Sequence, residues 1–177
     1  MARCRLQVRF RVTTWARFLF FFLLFFVPAF LGLGKAGQAP LRTAWIFFLA
    51  AFFGLGLPAI LCRHCPHYAR RGWFIVCPTT VGPPKILRPN PRPISRAEKA
   101  AFGMGFALVL GFPIIILAAR GRFAFAAFAL AGAGLFFVGE RTFSCSRCLN
   151  FSCLLNRVPR ETRAEWQASS NGRSGSA

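Results

Sequence analysis

Residues 18–34 read FLFFFLLFFVPAFLGLG, an unbroken apolar run without a charged residue. Three further runs of the same kind occupy residues 44–61, 100–119 and 123–139. A helix rises about 1.5 Å per residue and the hydrocarbon core of a bilayer is about 30 Å thick, so each run can cross it, the shorter ones with flanking residues added. The sequence therefore predicts four transmembrane helices.

The composition of the whole chain supports a membrane protein. Hydrophobic residues make up 55% of the 177 residues and charged residues only 15%, and the chain contains 23 Phe and no Asp. A soluble domain of this size needs a mostly polar surface, which this composition cannot supply. We therefore expect an all-α membrane protein whose solvent is the lipid bilayer.

The connections between the runs predict how the helices pair. Arg-Gly-Arg at 120–122 is long enough only for a tight turn, so the runs are expected to pair as two hairpins with a small irregular Cys-rich cap. The chain then divides into a basic N-terminus (1–17), a first transmembrane hairpin (18–61), a Cys-rich and Pro-rich loop (62–99), a second hairpin (100–139), a second Cys-rich segment (140–168) and a disordered tail (169–177).

The basic residues predict the orientation of the helices. Residues 1–17 contain five Arg and residues 62–99 contain eight Lys or Arg, whereas the other two loops contain two each. By the positive-inside rule, both termini and the long loop face the cytoplasm, with the chain in the inner membrane of a prokaryotic cell. A cleaved signal peptide ending near Ala39 is an alternative, but it would still deliver Cys62 to the cytoplasm.

The net charge of +19 does not indicate nucleic-acid binding, because the basic residues flank apolar runs instead of forming one folded face. Within the runs there is no ionisable residue. Ion carriers and proton pumps need such groups at membrane depth, and a membrane-embedded haem commonly needs a His there. The sequence therefore excludes these functions for the isolated chain.

Local signals predict helix ends and faces. Ser-Arg-Ala-Glu at 95–98 is a capping-box pattern, so the third helix is expected to begin there. Trp15 and Trp45 lie at the edges of runs, where rings at the membrane interface are common. Ala127 and Ala131 have the spacing of a helix-packing face.

Six of the seven cysteines fall in two segments that the topology brings to the same side of the membrane. The cytoplasm is reducing, so C-x-x-C pairs there indicate metal binding or redox chemistry instead of structural disulfides. Cys4 stands apart and is interpreted as a bystander. The grouped cysteines are Cys62, Cys65 and Cys77 after the second run, and Cys145, Cys148 and Cys153 after the fourth.

The two C-x-x-C pairs predict a zinc site. Two residues between thiolates let one turn direct both sulfurs at a single ion, and two such turns complete a tetrahedral four-thiolate site. Nearby Arg residues are expected to lower the thiol pKa values and favour the thiolate. His64 and His67 are further candidate ligands or supporting residues.

Two alternatives stay open. Six thiols exceed the need of one zinc ion, and Cys-Pro pairs at 65–66 and 77–78 suggest an iron–sulfur membrane electron carrier. A membrane thiol–disulfide oxidoreductase would also use C-x-x-C pairs. No catalytic residue is identified, because no Asp is present to orient a Cys–His pair. Apart from the lipid bilayer, we expect an unidentified membrane or cytoplasmic protein partner.

Overall fold

The computed structural model describes residues 6–35, 39–77 and 81–174. The described part contains four helical spans long and apolar enough to cross a membrane, at the positions of the four predicted helices. Cys4, most of the candidate cleavage site at 37–39 and the last three residues lie outside the described residues. The spans are Val12–Gly34, Ala39–His64, Arg96–Ala119 and Phe123–Arg147.

Two of the spans contain a short π-helical turn that the sequence did not predict. The helices are α1 (Val12–Lys35), α2 (Ala39–Ala51), α3 (Leu57–Ile60), α4 (Arg96–Ala119), α5 (Phe123–Gly139) and α6 (Arg160–Ser174). A π-helical segment at Phe52–Gly56 joins α2 to α3 within one span, and another at Glu140–Ser144 extends α5. Each segment precedes a C-x-x-C pair.

The most extensive packing joins α1 to α5, whereas α1 and α2 make a smaller interface. The prediction of two hairpins is therefore not confirmed as the organising arrangement. α1 packs closely on α5 because the buried face of α5 is rich in small residues. At Gly132 there is no room for a Cβ beside the backbone of Leu24. The buried residues of α5 are Ala126, Ala129, Gly132, Ala133, Phe136 and Gly139. The predicted packing face of Ala127 and Ala131 is wrong, since both are exposed.

Trp45 is buried among the helices and does not present its ring at the protein surface, as an interfacial Trp would. Its side chain is 2% exposed and its indole Nε1 donates a 3.0 Å hydrogen bond to the carbonyl oxygen of Val109 in α4. The ring also packs on Phe25 and Phe26 of α1. A buried indole is stable here because its single polar atom has an acceptor. Trp45 thus ties α2 to the centre of the bundle.

The cap is more regular than predicted. Strands β1 (Phe74–Val76) and β2 (Val81–Pro84) pair antiparallel within the long loop, so the fold is not entirely α-helical. β1 is a strand because its residues are aromatic or β-branched and alternate in burial, with Ile75 buried between two exposed neighbours. The loop was expected to have little regular structure because it is rich in Pro and Gly.

The capping box at the start of α4 is confirmed. The Ser95 hydroxyl accepts from the Glu98 backbone N–H, and the Glu98 carboxylate accepts from the Ser95 backbone N–H. At the other end of the chain, α6 continues to Ser174, where a disordered tail was predicted from residue 169. Each residue added to an existing helix gains one hydrogen bond, so the helix extends into the polar sequence.

Candidate metal centre

All six clustered cysteines line one cavity at the end of the bundle. The cavity has a volume of about 170 Å³, and its wall on the membrane side is mostly Phe and Leu. The cysteines in this wall are Cys62, Cys65, Cys77, Cys145, Cys148 and Cys153. The structure therefore brings together two groups of thiols that are about 80 residues apart in the chain.

The two C-x-x-C pairs have the same backbone conformation. Each begins with a 3₁₀ turn, at Cys62–His64 and at Cys145–Arg147. The second cysteine of each pair then adopts an extended conformation, with φ and ψ of −96° and 141° at Cys65 and of −81° and 134° at Cys148. Each pair thus ends a transmembrane span with the same turn, as expected if two residues between thiols position both sulfurs on one side.

Backbone N–H groups point at the sulfur atoms. The amide of Asn150 donates to Cys148 Sγ at 3.4 Å, and the amide of His67 donates in the same way to Cys65. In both cases the donor is two residues after the cysteine. Cys153 also accepts backbone hydrogen bonds. Such donors favour the negatively charged thiolate over the thiol, which is the form that binds metals.

His67 is the one histidine that lines the cavity. Its side chain is buried, with a relative exposure of 4%. The ring Nε2 lies 3.2 Å from the carbonyl oxygen of Gln7, which can only accept, so Nε2 carries the proton. The buried Nδ1 has no hydrogen-bond partner among the residues that the structure describes. His67 therefore offers a lone pair at a buried position beside six thiols.

His64 occupies a different environment. Its Nδ1 lies 2.8 Å from the carbonyl oxygen of Arg92, and its Nε2 lies 3.2 Å from the Glu98 carboxylate. The same carboxylate binds Arg63 and Arg92, so it is the centre of an ionic network. His64 does not line the cavity, although the sequence analysis placed it among the candidate ligands. Its neighbours give it a structural role at the start of α4.

Burial has the largest effect on the pKa values of the thiols discussed below. Burial raises the pKa of Cys65 to about 12, and the nearby Arg70 opposes this only in part. Burial likewise raises the pKa values of Cys148 and Cys153. The expectation that neighbouring arginines lower the thiol pKa values is therefore wrong for these residues. Arg63 does not serve this purpose, because its guanidinium binds Glu98. Without a bound cation these thiols are protonated at neutral pH.

Two asparagines hold the second cysteine segment in place, and the sequence analysis assigned them no role. Asn156 donates its side-chain amide to the carbonyl oxygens of Cys148 and Asn150, at 2.9 and 3.0 Å. Asn150 is buried and donates to the carbonyl oxygen of Leu61, at 3.0 Å. The only signal in the sequence was the presence of amide side chains among cysteines.

The described residues contain no group of three or more His, Cys, Asp or Glu side chains placed closely enough to hold a metal ion. The six thiols line the wall of the cavity. Single-ion binding would therefore require the two turns to move towards each other. The six described cysteines form no disulfide among themselves.

Comparisons with known proteins do not add a relative to this description. No protein-family model matches the chain, and neither a curated protein nor a solved structure shows significant similarity to it. The function is therefore argued from the four apolar helices and from the residues around the cavity.

Proposed function

We propose that this chain is an integral membrane protein that binds zinc in its thiol-lined cavity, and that the metal joins the ends of the second and fourth spans. One observation carries the proposal: six thiols and one unpaired imidazole nitrogen line the same cavity. Thiolate sulfur and imidazole nitrogen are the ligands that zinc prefers in structural sites. The proposed role is a structural or interaction cap, without catalysis.

The electrostatic neighbours of the cysteines support a shared centre. Cys148 of the second pair lies close enough to Cys65 of the first pair that a negative charge on Cys65 would raise the pKa of Cys148. A negative charge on Cys153 would raise the pKa values of both Cys65 and Cys148. Because burial keeps Cys65, Cys148 and Cys153 protonated, their sulfurs carry no charge until a cation replaces the protons. Metal binding would then draw in the two turns and release protons.

The proposed orientation places the cavity on the cytoplasmic side. The positive-inside rule supports this orientation, because the cavity shares one end of the bundle with the basic loop 62–99 and with the N-terminal segment, whose Gln7 and Val8 contact His67 and Arg70. A reducing compartment also keeps six thiols available for a metal. Impermeant maleimide added outside intact cells should leave Cys65 and Cys148 unlabelled, and strong external labelling would reverse the orientation.

An iron–sulfur electron carrier is the second candidate, and a specific observation favours it. A cluster is several atoms wide, so its cysteine ligands must surround a space instead of meeting at one point. The distribution of the thiols around about 170 Å³, without a group of three that could hold one ion, fits that requirement. A thiol–disulfide oxidoreductase fits less well, because a reactive thiol needs a lowered pKa and those of Cys65 and Cys148 are raised.

Elemental analysis of anaerobically purified protein separates these functions. We expect zinc bound to a colourless protein, and loss of that metal when Cys65 and Cys148 are both changed to Ser. The Cys4→Ser variant is the control and should keep its metal. A brown protein with iron and sulfide would replace the zinc proposal by the electron carrier. Purified protein without any metal, which also fails to bind added zinc, would exclude both.

A further inference from the structure

The hairpin formed by β1 and β2 has an apolar surface that is unusual for a loop in water. Trp73, immediately before β1, is 86% exposed, and Phe74 is 59% exposed. Val76 and Val81 are also exposed, whereas Ile75 between Phe74 and Val76 faces the cavity and is buried. A contiguous exposed patch of this kind marks a surface that contacts something apolar.

The position of β2 indicates what that surface contacts. β2 packs against the π-helical segment Phe52–Gly56 of the second span. Val81 and Pro83 also line a groove with Phe22 of α1 and Leu49 of α2. Phe22 lies four residues inside the apolar run that begins at Phe18, which is about 6 Å along a helix. The hairpin therefore folds back beside the transmembrane helices and does not extend away from them.

The sequence of β2 lowers the free-energy cost of placing the hairpin against lipid. Backbone N–H groups without a partner are unfavourable in lipid. Pro83 and Pro84 have no N–H group, so the outer edge of this two-stranded sheet has fewer donors to satisfy. At the base of the hairpin, the amide of Lys85 donates to the carbonyl oxygen of Trp73 at 2.8 Å. The Tyr68 hydroxyl donates to the carbonyl oxygen of Leu87, also at 2.8 Å.

The charges at the base complement anionic lipid. Arg70 and Arg71 precede β1, and Lys85 and Arg88 follow β2, while residues 62–97 contain no acidic residue. Arg71 and Arg88 are exposed. Basic residues next to apolar side chains, with Trp among them, form the pattern of a segment in the membrane interface.

We propose that the described residues 70–77 and 81–88 form the two sides of an interfacial hairpin. Its exposed apolar side chains enter the outer part of the lipid layer beside α1 and α2, and its basic base binds anionic lipid headgroups. This surface is separate from the thiol cavity, because Ile75 turns inward while Trp73, Phe74 and Val76 turn outward. The proposal holds whether or not the cavity binds a metal.

Fluorescence of the full chain in nanodiscs tests the position of the hairpin. The contribution of Trp73 is the difference between the wild type and the Trp73→Phe variant, which keeps the fold because Trp73 is exposed. We expect lipids brominated on their acyl chains to quench this contribution and aqueous iodide to leave it nearly unchanged. Trp166 in the polar helix α6, isolated in the same way with Trp166→Phe, should show the reverse.

Two other outcomes would overturn the proposal. Quenching of Trp73 by iodide alone would place the hairpin in water. Resistance to both quenchers would indicate that a second copy or another protein covers the surface.

Retention of bound lipid tests whether the basic residues at the base of the hairpin bind anionic headgroups. Nanodiscs containing phosphatidylglycerol and phosphatidylcholine should yield protein enriched in bound phosphatidylglycerol, measured by native mass spectrometry. Changing Arg71 and Arg88 to Gln should lower this preference about fivefold for each residue removed. The control removes the same charge at Arg157 and Arg160, which are exposed near the start of α6. Equal losses in both double variants, or no loss in either, would refute binding at the hairpin.

Discussion

The side-chain amide of Asn150 donates a 3.0 Å hydrogen bond to the carbonyl oxygen of Leu61, the residue immediately before the first cysteine pair. Asn150 itself follows the second pair and is 7% exposed. The two thiol-bearing turns are therefore connected by a part-buried hydrogen bond between protein groups. This bond helps to hold both turns at one cavity.

Replacing Asn150 by Ala should destabilise the cap. The variant removes the hydrogen bond between the two segments and leaves the carbonyl oxygen of Leu61 with the His64 amide as its donor, at a cost of about 0.5–1.5 kcal/mol. We expect a lower apparent Tm in detergent and weaker metal binding, since the turns lose their connection. Asn90→Ala is the control, because the Asn90 side chain accepts only one long hydrogen bond from the neighbouring Arg92 amide. Equal Tm values for the two variants would contradict the assignment.

The two cysteine pairs should share one centre. Changing Cys62 and Cys65 to Ser should remove the same metal as changing Cys145 and Cys148 to Ser, with a similar loss of Tm. Combining all four changes should cost little more, because one centre can be lost only once. Metal-to-protein ratios and thermal unfolding of the three variants check this. Half of the metal lost in each double variant, with additive losses of Tm, would indicate two separate sites.

His67 should bind the metal through Nδ1. X-ray absorption of the zinc-loaded protein should show a nitrogen at about 2.0–2.1 Å besides sulfur at about 2.3 Å. The nitrogen contribution should disappear in His67→Cys while zinc stays bound. In His64→Gln it should persist, because His64 does not line the cavity. A shell of sulfur alone in the wild type would remove His67 from the ligand set without affecting the thiol centre.

The metal-free protein should lose stability at alkaline pH. An ordinary cysteine has a pKa of about 8.5, whereas that of buried Cys65 is raised to about 12. A raised pKa in the folded state contributes stability below about pH 8.5, and this contribution is lost as the pH rises towards 12. We therefore expect the apparent Tm of reduced, chelator-treated protein to fall between pH 8 and 10.

The variant Cys65→Ser serves as the control for this pH dependence. Its Tm should fall less steeply over the same range, because it lacks one of the titrating thiols. Identical slopes for the wild type and the variant would show that other groups cause the loss. The Tm of zinc-loaded protein should also depend less on pH, since its thiolates have already lost their protons.

The packing of α1 on α5 should depend on Gly132. A Cβ at this position would overlap the backbone of Leu24, so Gly132→Ala forces the helices apart at a cost of about 1–3 kcal/mol. Gly134→Ala is the matched control, because a Cβ there meets no atom within 4 Å. Thermal unfolding in detergent should show a lower Tm only for Gly132→Ala. A similar loss in both variants would indicate a general effect on the α5 helix.

Patterns within short stretches of the sequence predicted most of the secondary structure. The apolar runs define the four spans, because length and hydropathy are properties of one segment and its solvent. The capping box at 95–98 was also predictable, since its partners are three residues apart. The hairpin of β1 and β2 was missed, because frequent Pro and Gly residues obscured a strand of only three residues.

The candidate site was predicted in part. The spacing of the cysteines indicated that both pairs belong together, and the cavity contains all six. The sequence did not distinguish His64 from His67, which are only three residues apart. The structure separates them. In His64, Nδ1 contacts the Arg92 carbonyl oxygen and Nε2 contacts the Glu98 carboxylate. In His67, Nε2 contacts the Gln7 carbonyl oxygen, and no described residue forms a hydrogen bond with Nδ1.

The sequence alone determined that this chain has four apolar helices and two similar thiol-bearing turns, because hydropathy and C-x-x-C spacing are local. Only the tertiary structure decided that α1 packs mainly on α5, that Trp45 is buried and that burial outweighs the arginines in setting the pKa of Cys65. Each of these depends on atoms from distant segments. Desolvation and close packing act through space, so no pattern along the chain reveals them.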